Sequence, residues 1–141
     1  MKKILIALFL FVLLISTATT KNNFTLNDYF TGNYYAYTKT ELDKNGTNLG
    51  SCYMYNCQIK DVSLLVGESM VINNFEPANA LKQLKAQVRK TEYLETGASV
   101  IYAYSPLINT DVEVDGKKVN LQIACYDNFC VVGWPLILGS F

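Results

Sequence analysis

The chain opens with an unbroken apolar run from Ile4 to Ile15, set behind Lys2 and Lys3 and followed by small and hydroxylated residues. That order is the order of a secretory signal peptide. Its twelve apolar residues fall short of the roughly 20 that span a bilayer as a helix. Ser16 and Ala18 provide a small-x-small cleavage site, so a signal peptide is expected over 1–18, with cleavage after Ala18. Left uncleaved, this run would be the chain's contact with a membrane. Residues 19–32 are polar and aperiodic and read as a flexible lead-in. A single domain is expected over 33–141.

Within that domain the pattern is mostly that of strands. "NYYAYTKTEL" (33–42) is rich in Tyr and Thr, which suit a pleated surface, and a turn at Asn45-Gly46 leads to a partner strand over 49–59. Residues 61–73 give another extended stretch, with Gly67 as a candidate bulge. The pattern then changes period. Pro77 suits a first helical position, and Ala80, Leu81, Leu84 and Val88 recur on one helical face, which predicts one main helix over about 76–88. Strands resume on either side of Thr96-Gly97. Asp115-Gly116 is the dipeptide favoured by a two-residue type I′ hairpin, and in its second arm Val119, Leu121, Ile123 and Cys125 alternate inward against Asn120, Gln122, Ala124 and Tyr126. "VVGWPLILGSF" closes the chain as an apolar strand, where Pro135 argues for an edge position or a bulge. The expected fold is α+β: an antiparallel sheet with the main helix packed on one face.

Composition narrows the chemistry. The roughly 123 residues from Thr19 onward are enough for one domain with its own core. The full chain balances 12 basic against 12 acidic residues, and loss of Lys2 and Lys3 leaves a slight acidic excess. Nucleic acid is therefore not expected as a partner, because a phosphate binder carries a basic surface. There is no histidine. This excludes Ser-His-Asp and Cys-His catalysis and removes the commonest zinc ligand. No cofactor and no metal is implied.

The four cysteines fall in two hexapeptides, "CYMYNC" (Cys52, Cys57) and "CYDNFC" (Cys125, Cys130). A C-x4-C pair sits at the edge of the spacing used by zinc knuckles. A thioredoxin-like centre would need C-x-x-C at a helix start. An even count behind a signal peptide instead suggests disulfides, with three connectivities open. A local bridge closes a small ring worth about 2 kcal/mol in the chain-entropy model, and a bridge between hexapeptides about 4 kcal/mol. On that basis the expectation leans towards one hexapeptide pairing with the other.

Two further groups are candidates for function. Glu68, Glu92 and Glu95 are the carboxylates near apolar strand sequence, and their pattern is that of solvent-facing strand residues. A glycosidase needs two acids across a cleft, and Glu68 is the first candidate for such a role. Tyr34, Tyr35, Tyr37, Tyr53 and Tyr55 crowd the first predicted hairpin and could form a binding surface for sugars or peptides, although Tyr is also simply a good strand residue.

The segments "GESMVI", the helix, "VIYAYSPLI", "GKKVNLQIA" and "GWPLILGSF" resemble, in that order, the YwmB family of secreted Gram-positive bacterial proteins over about 67–141. Gly67, Glu68, Tyr102, Tyr104, Asn120 and Pro135 are the positions that match. The resemblance implies a fold similar to the TATA-box-binding protein, a curved antiparallel sheet backed by helices, with no established activity and a location outside the cytoplasmic membrane of a Gram-positive bacterium. The cysteine hexapeptides are not part of that pattern. DNA binding does not follow from such a fold.

Taken together, the sequence suggests a secreted or envelope-associated, non-enzymatic binding or structural module, partnered by a protein or an envelope component. The alternatives are an envelope hydrolase or transferase using Glu68, and a thiol-disulfide oxidoreductase.

Overall fold

A computed structural model describes residues 23–138; the expected signal peptide over 1–18 lies outside the described residues. Ten strands occur among these: β1 (Asn33–Thr38), β2 (Thr47–Asn48), β3 (Tyr53–Tyr55), β4 (Leu65–Asn73), β5 (Gln87–Tyr93), β6 (Ser99–Tyr104), β7 (Val112–Val114), β8 (Lys117–Val119), β9 (Leu121–Cys125) and β10 (Phe129–Trp134). Among the described residues a single α-helix, α1, covers Pro77–Gln83. Eight strands form one sheet in the order β2-β3-β1-β4-β10-β9-β6-β5, and β7 and β8 form a separate hairpin. Every pairing is antiparallel. The domain is α+β, as the sequence pattern predicts.

Register explains where the core lies. Tyr34 opposes Met70, Met70 opposes Val132, Val132 opposes Ile123, and Ile123 opposes Ile101, so these five side chains form one row across the sheet. Ala80 and Leu84 from the helical segment are fully buried in the same cluster. The opposite face carries a smaller cluster of Val100, Ala124 and Val131, flanked by Val71, Tyr102, Phe129 and Ile137. Strands buried on both faces need apolar residues at consecutive positions rather than alternation. Cys130 through Trp134 are all buried.

Several expectations change. The last strand, β10, is central rather than at an edge, lying between β4 and β9. Pro135 follows its last residue, so the missing N–H falls outside the ladder. The bulge lies beside Gly67: Tyr37 opposes Gly67 while Thr38 opposes Leu65, which leaves Val66 as the extra residue. A Cβ on Gly67 would stand 2.6 Å from the Trp134 carbonyl oxygen, so this glycine is required by close packing.

The helix is shorter than expected. Lys85 adopts the left-handed conformation (φ 51°). Its N–H donates to Lys82 O, while Ala86 N–H donates to Leu81 O at 2.8 Å. This is the Schellman arrangement that ends a helix. Val88 then belongs to β5 and is exposed.

The hairpin arm read as continuous over 117–125 is broken at Asn120. Its amide accepts from Ser105 N–H at 2.7 Å and donates to Ser105 O and Ile108 O, wholly inside the molecule. Finally, the lead-in is not a loose segment from Phe24 onward. Phe24, Leu26 and Phe30 are buried in the core, and Leu26–Asp28 form a 3-10 turn.

Candidate functional site

Glu68 sits on the core side of β4 and is completely buried. One carboxyl oxygen accepts from Leu26 N–H at 3.0 Å and from the Trp134 indole N–H at 2.6 Å. The other accepts from the Thr25 hydroxyl at 2.7 Å and from the Tyr34 hydroxyl. A buried acid is tolerated when its lone pairs are met by well-placed donors, and four donors meet this one. The expectation of a solvent-facing glutamate is therefore corrected: Glu68 is an interior crosslink between the N-terminal segment, β1, β4 and β10. Burial, followed by the hydrogen bond to Glu68, raises the Tyr34 phenol above its ordinary range.

The tyrosines do not form one exposed surface. Tyr34, Tyr37 and Tyr55 are buried, with Tyr37 bonded to the Ser69 hydroxyl at 2.6 Å and Tyr55 accepting from Leu42 N–H at 2.7 Å. Tyr35 and Tyr53 are half-buried. The polar tips of the buried rings satisfy interior groups.

All four cysteines are thiols. Cys125 and Cys130 oppose each other on β9 and β10, with their sulfurs 3.2 Å apart. Cys52 and Cys57 flank β3, which is separated from β10 by β1 and β4. The sheet thus brings together the two cysteines of one hexapeptide and keeps the two hexapeptides apart. Burial, with Cys125 alongside, pushes the Cys130 thiol up to about 12. Among the described residues, no group of three or more His, Cys, Asp or Glu side chains converges as a metal site would require.

The open concave surface lies at one end of the sheet, where β4, β5 and β9 all finish. The β9–β10 turn, Tyr126–Phe129, stands between two hollows there. Thr96, Gly97 and Ala98 complete a hollow of ≈ 220 Å³ on one side. Asn74, Phe75, Glu76 and Cys130 complete one of ≈ 290 Å³ on the other. The Tyr126 and Phe129 rings stack at 4.7 Å with an interplanar angle of 18°. Asp127 and Asn128 at the tip are exposed. The tip is anchored by Tyr126 N–H to Phe129 O at 2.9 Å and by Asn74 N–H to Asn128 O at 3.1 Å.

Comparison of the chain with family models, with curated proteins and with solved structures finds no match. The geometry of the site therefore carries the functional argument.

Chemically, the loop end offers stacked aromatic faces beside amide and carboxyl groups. Such a set can stack on and hydrogen-bond a polar ligand. This surface is missed when "CYDNFC" is read only for its cysteines. Asp127-Asn128 between two aromatic residues was the available signal, since turn-forming residues between strand-forming ones mark a hairpin tip. A second polar cluster lies along the edge strand β5, where Lys90 bonds Asp115 and Glu92 (2.6 Å) and lies 5.8 Å from the Tyr102 ring centroid. It is an exposed, internally compensated network.

Proposed function

We propose that the chain is a non-enzymatic binding module acting outside the cytoplasmic membrane, with its ligand surface at the loop end around Tyr126 and Phe129. The observation that carries this reading is the stacked pair at a hairpin tip with an open hollow on each side. One hollow is lined by Asn74, Glu76, Asp127 and Asn128. Side chains of this kind suit an envelope component rich in hydroxyl and amide groups, such as a glycan or a peptide of the cell wall. The N-terminal pattern and the even cysteine count support the compartment.

The hydrolase alternative loses its first candidate, because Glu68 is committed to four protein donors in the interior and has no face open to a substrate. The oxidoreductase alternative is disfavoured because both cysteine pairs are C-x4-C in strand context, with Cys125 and Cys130 facing each other across β9 and β10, rather than the C-x-x-C at a helix start that such a centre uses.

Binding to isolated cell-wall material, measured by co-sedimentation, tests the proposal. Tyr126→Ala combined with Phe129→Ala is expected to weaken binding at least about tenfold, as loss of stacking worth about 1.5 kcal/mol implies, while Trp134 fluorescence stays native. Undiminished binding by this variant would refute the assignment of the surface. Hydrolysis of wall glycans or peptides that disappears in Glu68→Gln would refute the non-enzymatic reading.

A further inference from the structure

Cys125 and Cys130 meet at a particular kind of ladder position. Tyr126 N–H donates to Phe129 O at 2.9 Å, so Tyr126 and Phe129 make a hydrogen-bonded contact across the hairpin. Positions alternate along an antiparallel ladder, and the next pair, Cys125 and Cys130, is of the close, non-hydrogen-bonded type. Such pairs hold their Cα atoms about 4.5 Å apart, which lies at the short end of the range a disulfide spans. Both side chains lie on the core face, and the sulfurs are already 3.2 Å apart. Bond formation needs a closure of only about 1 Å.

Pairing across the two hexapeptides would instead have to cross the width of β1 and β4. Three strand spacings amount to about 14 Å, beyond the reach of a disulfide. The two thiols are also unequal. Cys125 is half-buried and Cys130 is buried, so an external reagent meets Cys125 first.

We infer that Cys125 and Cys130 form an oxidation site that closes into a cross-strand disulfide by exchange with a small-molecule disulfide, independently of Cys52 and Cys57. Cys125 gives up its proton to solvent, and its thiolate attacks one sulfur of the reagent R–S–S–R. The reagent's S–S bond breaks, one R–S⁻ leaves and takes up a proton, and a mixed disulfide remains on Cys125. Cys130 then loses its proton and attacks the Cys125 sulfur. The mixed bond breaks, and the second R–S⁻ leaves and is protonated. Two protein thiols become one disulfide, and one small disulfide is reduced to two thiols. Because the product ties β9 to β10 immediately below their turn, oxidation would fix the tip that separates the two hollows. The bridge itself does not depend on whether those hollows bind a ligand.

The test uses the reduced full chain, incubated with oxidised glutathione under native conditions and then digested with trypsin. Cys125 and Cys130 share the fragment that begins at Val119, which contains no Lys or Arg, whereas Cys52 and Cys57 share the fragment 45–60. The expected result is loss of two hydrogens from the Val119 fragment, retained in a chain carrying Cys52→Ser and Cys57→Ser. In Cys130→Ser the same fragment is expected to carry a glutathione adduct on Cys125 instead. Two results overturn the inference: the two fragments joined to each other, or an unaltered Val119 fragment in a chain whose exposed Cys57 has reacted. If Cys130→Ser does not fold, the digest of the native chain decides alone.

Discussion

At the residue scale, the two carboxyl oxygens of Glu68 face different kinds of donor. Leu26 N–H and Trp134 Nε1–H can only donate, whereas the Thr25 and Tyr34 hydroxyls can also accept. An amide in Glu68→Gln can keep its oxygen towards the two N–H groups and turn its NH₂ to the hydroxyls. A loss of about 1 kcal/mol is expected for it in urea unfolding followed by Trp134 fluorescence. Glu68→Leu strands all four donors and should cost at least about 3 kcal/mol. Lys85 makes the opposite case. Its left-handed backbone is strained for a side chain with a Cβ, and Lys85→Gly should raise the urea midpoint by the equivalent of about 1 kcal/mol. Asp115 is held below the ordinary carboxylate value of 3.8 by its hydrogen bond and charge pairing with Lys90. A depressed folded-state pKa stabilises the fold above the unfolded value and ceases to do so as pH falls through the folded one. In Lys90→Met, the Asp115 titration followed by NMR should therefore move upward, towards 3.8.

At the element scale, the N-terminal segment is part of the domain. Phe24, Leu26 and Phe30 each bury a side chain worth about 1.5–3 kcal/mol, together a large share of the 5–15 kcal/mol typical of a domain. A chain beginning at Asn33 should therefore lose its cooperative thermal transition by circular dichroism. By its sequence this segment reads as a flexible lead-in, because its order comes from Glu68, some forty residues away, and not from any periodicity of its own. The opposite holds for the β7–β8 hairpin. Asp115 and Gly116 both have positive φ, as a type I′ turn demands, and a two-residue signal sufficed. The start of α1 was legible from Pro77, but its end was not. A spacing of four, as from Leu84 to Val88, satisfies both a helical face and one side of a strand, so apolar spacing alone could not place the boundary.

At the scale of the whole molecule, the class of fold was legible because turn residues and apolar runs are local, while strand order is not. Pro135 pointed towards an edge, yet the strand before it is the most enclosed in the sheet. Buried on both faces, β4 and β10 lose the alternation that would have revealed which way Glu68 points. The tyrosines misled for a related reason: a residue that suits strands also suits a core when its hydroxyl finds a partner. The proposed ligand surface occupies the four residues Tyr126–Phe129, which lie between two cysteines whose own pattern suggests only a disulfide.

The place of β10 also sets an order of events. Among the described residues the sheet consists of β2-β3-β1-β4 on one side and β9-β6-β5 on the other, joined through β10, the last of the described strands, and Trp134 supplies one of the donors to Glu68. Contacts of such long sequence separation make folding slow. A chain ending at Asn128 should give the collapsed amide NMR spectrum of an unfolded protein. Until Trp134 is in place the described residues before it have no complete core, so the stretch from Asn23 onward stays threadable through a narrow pore before it can lock.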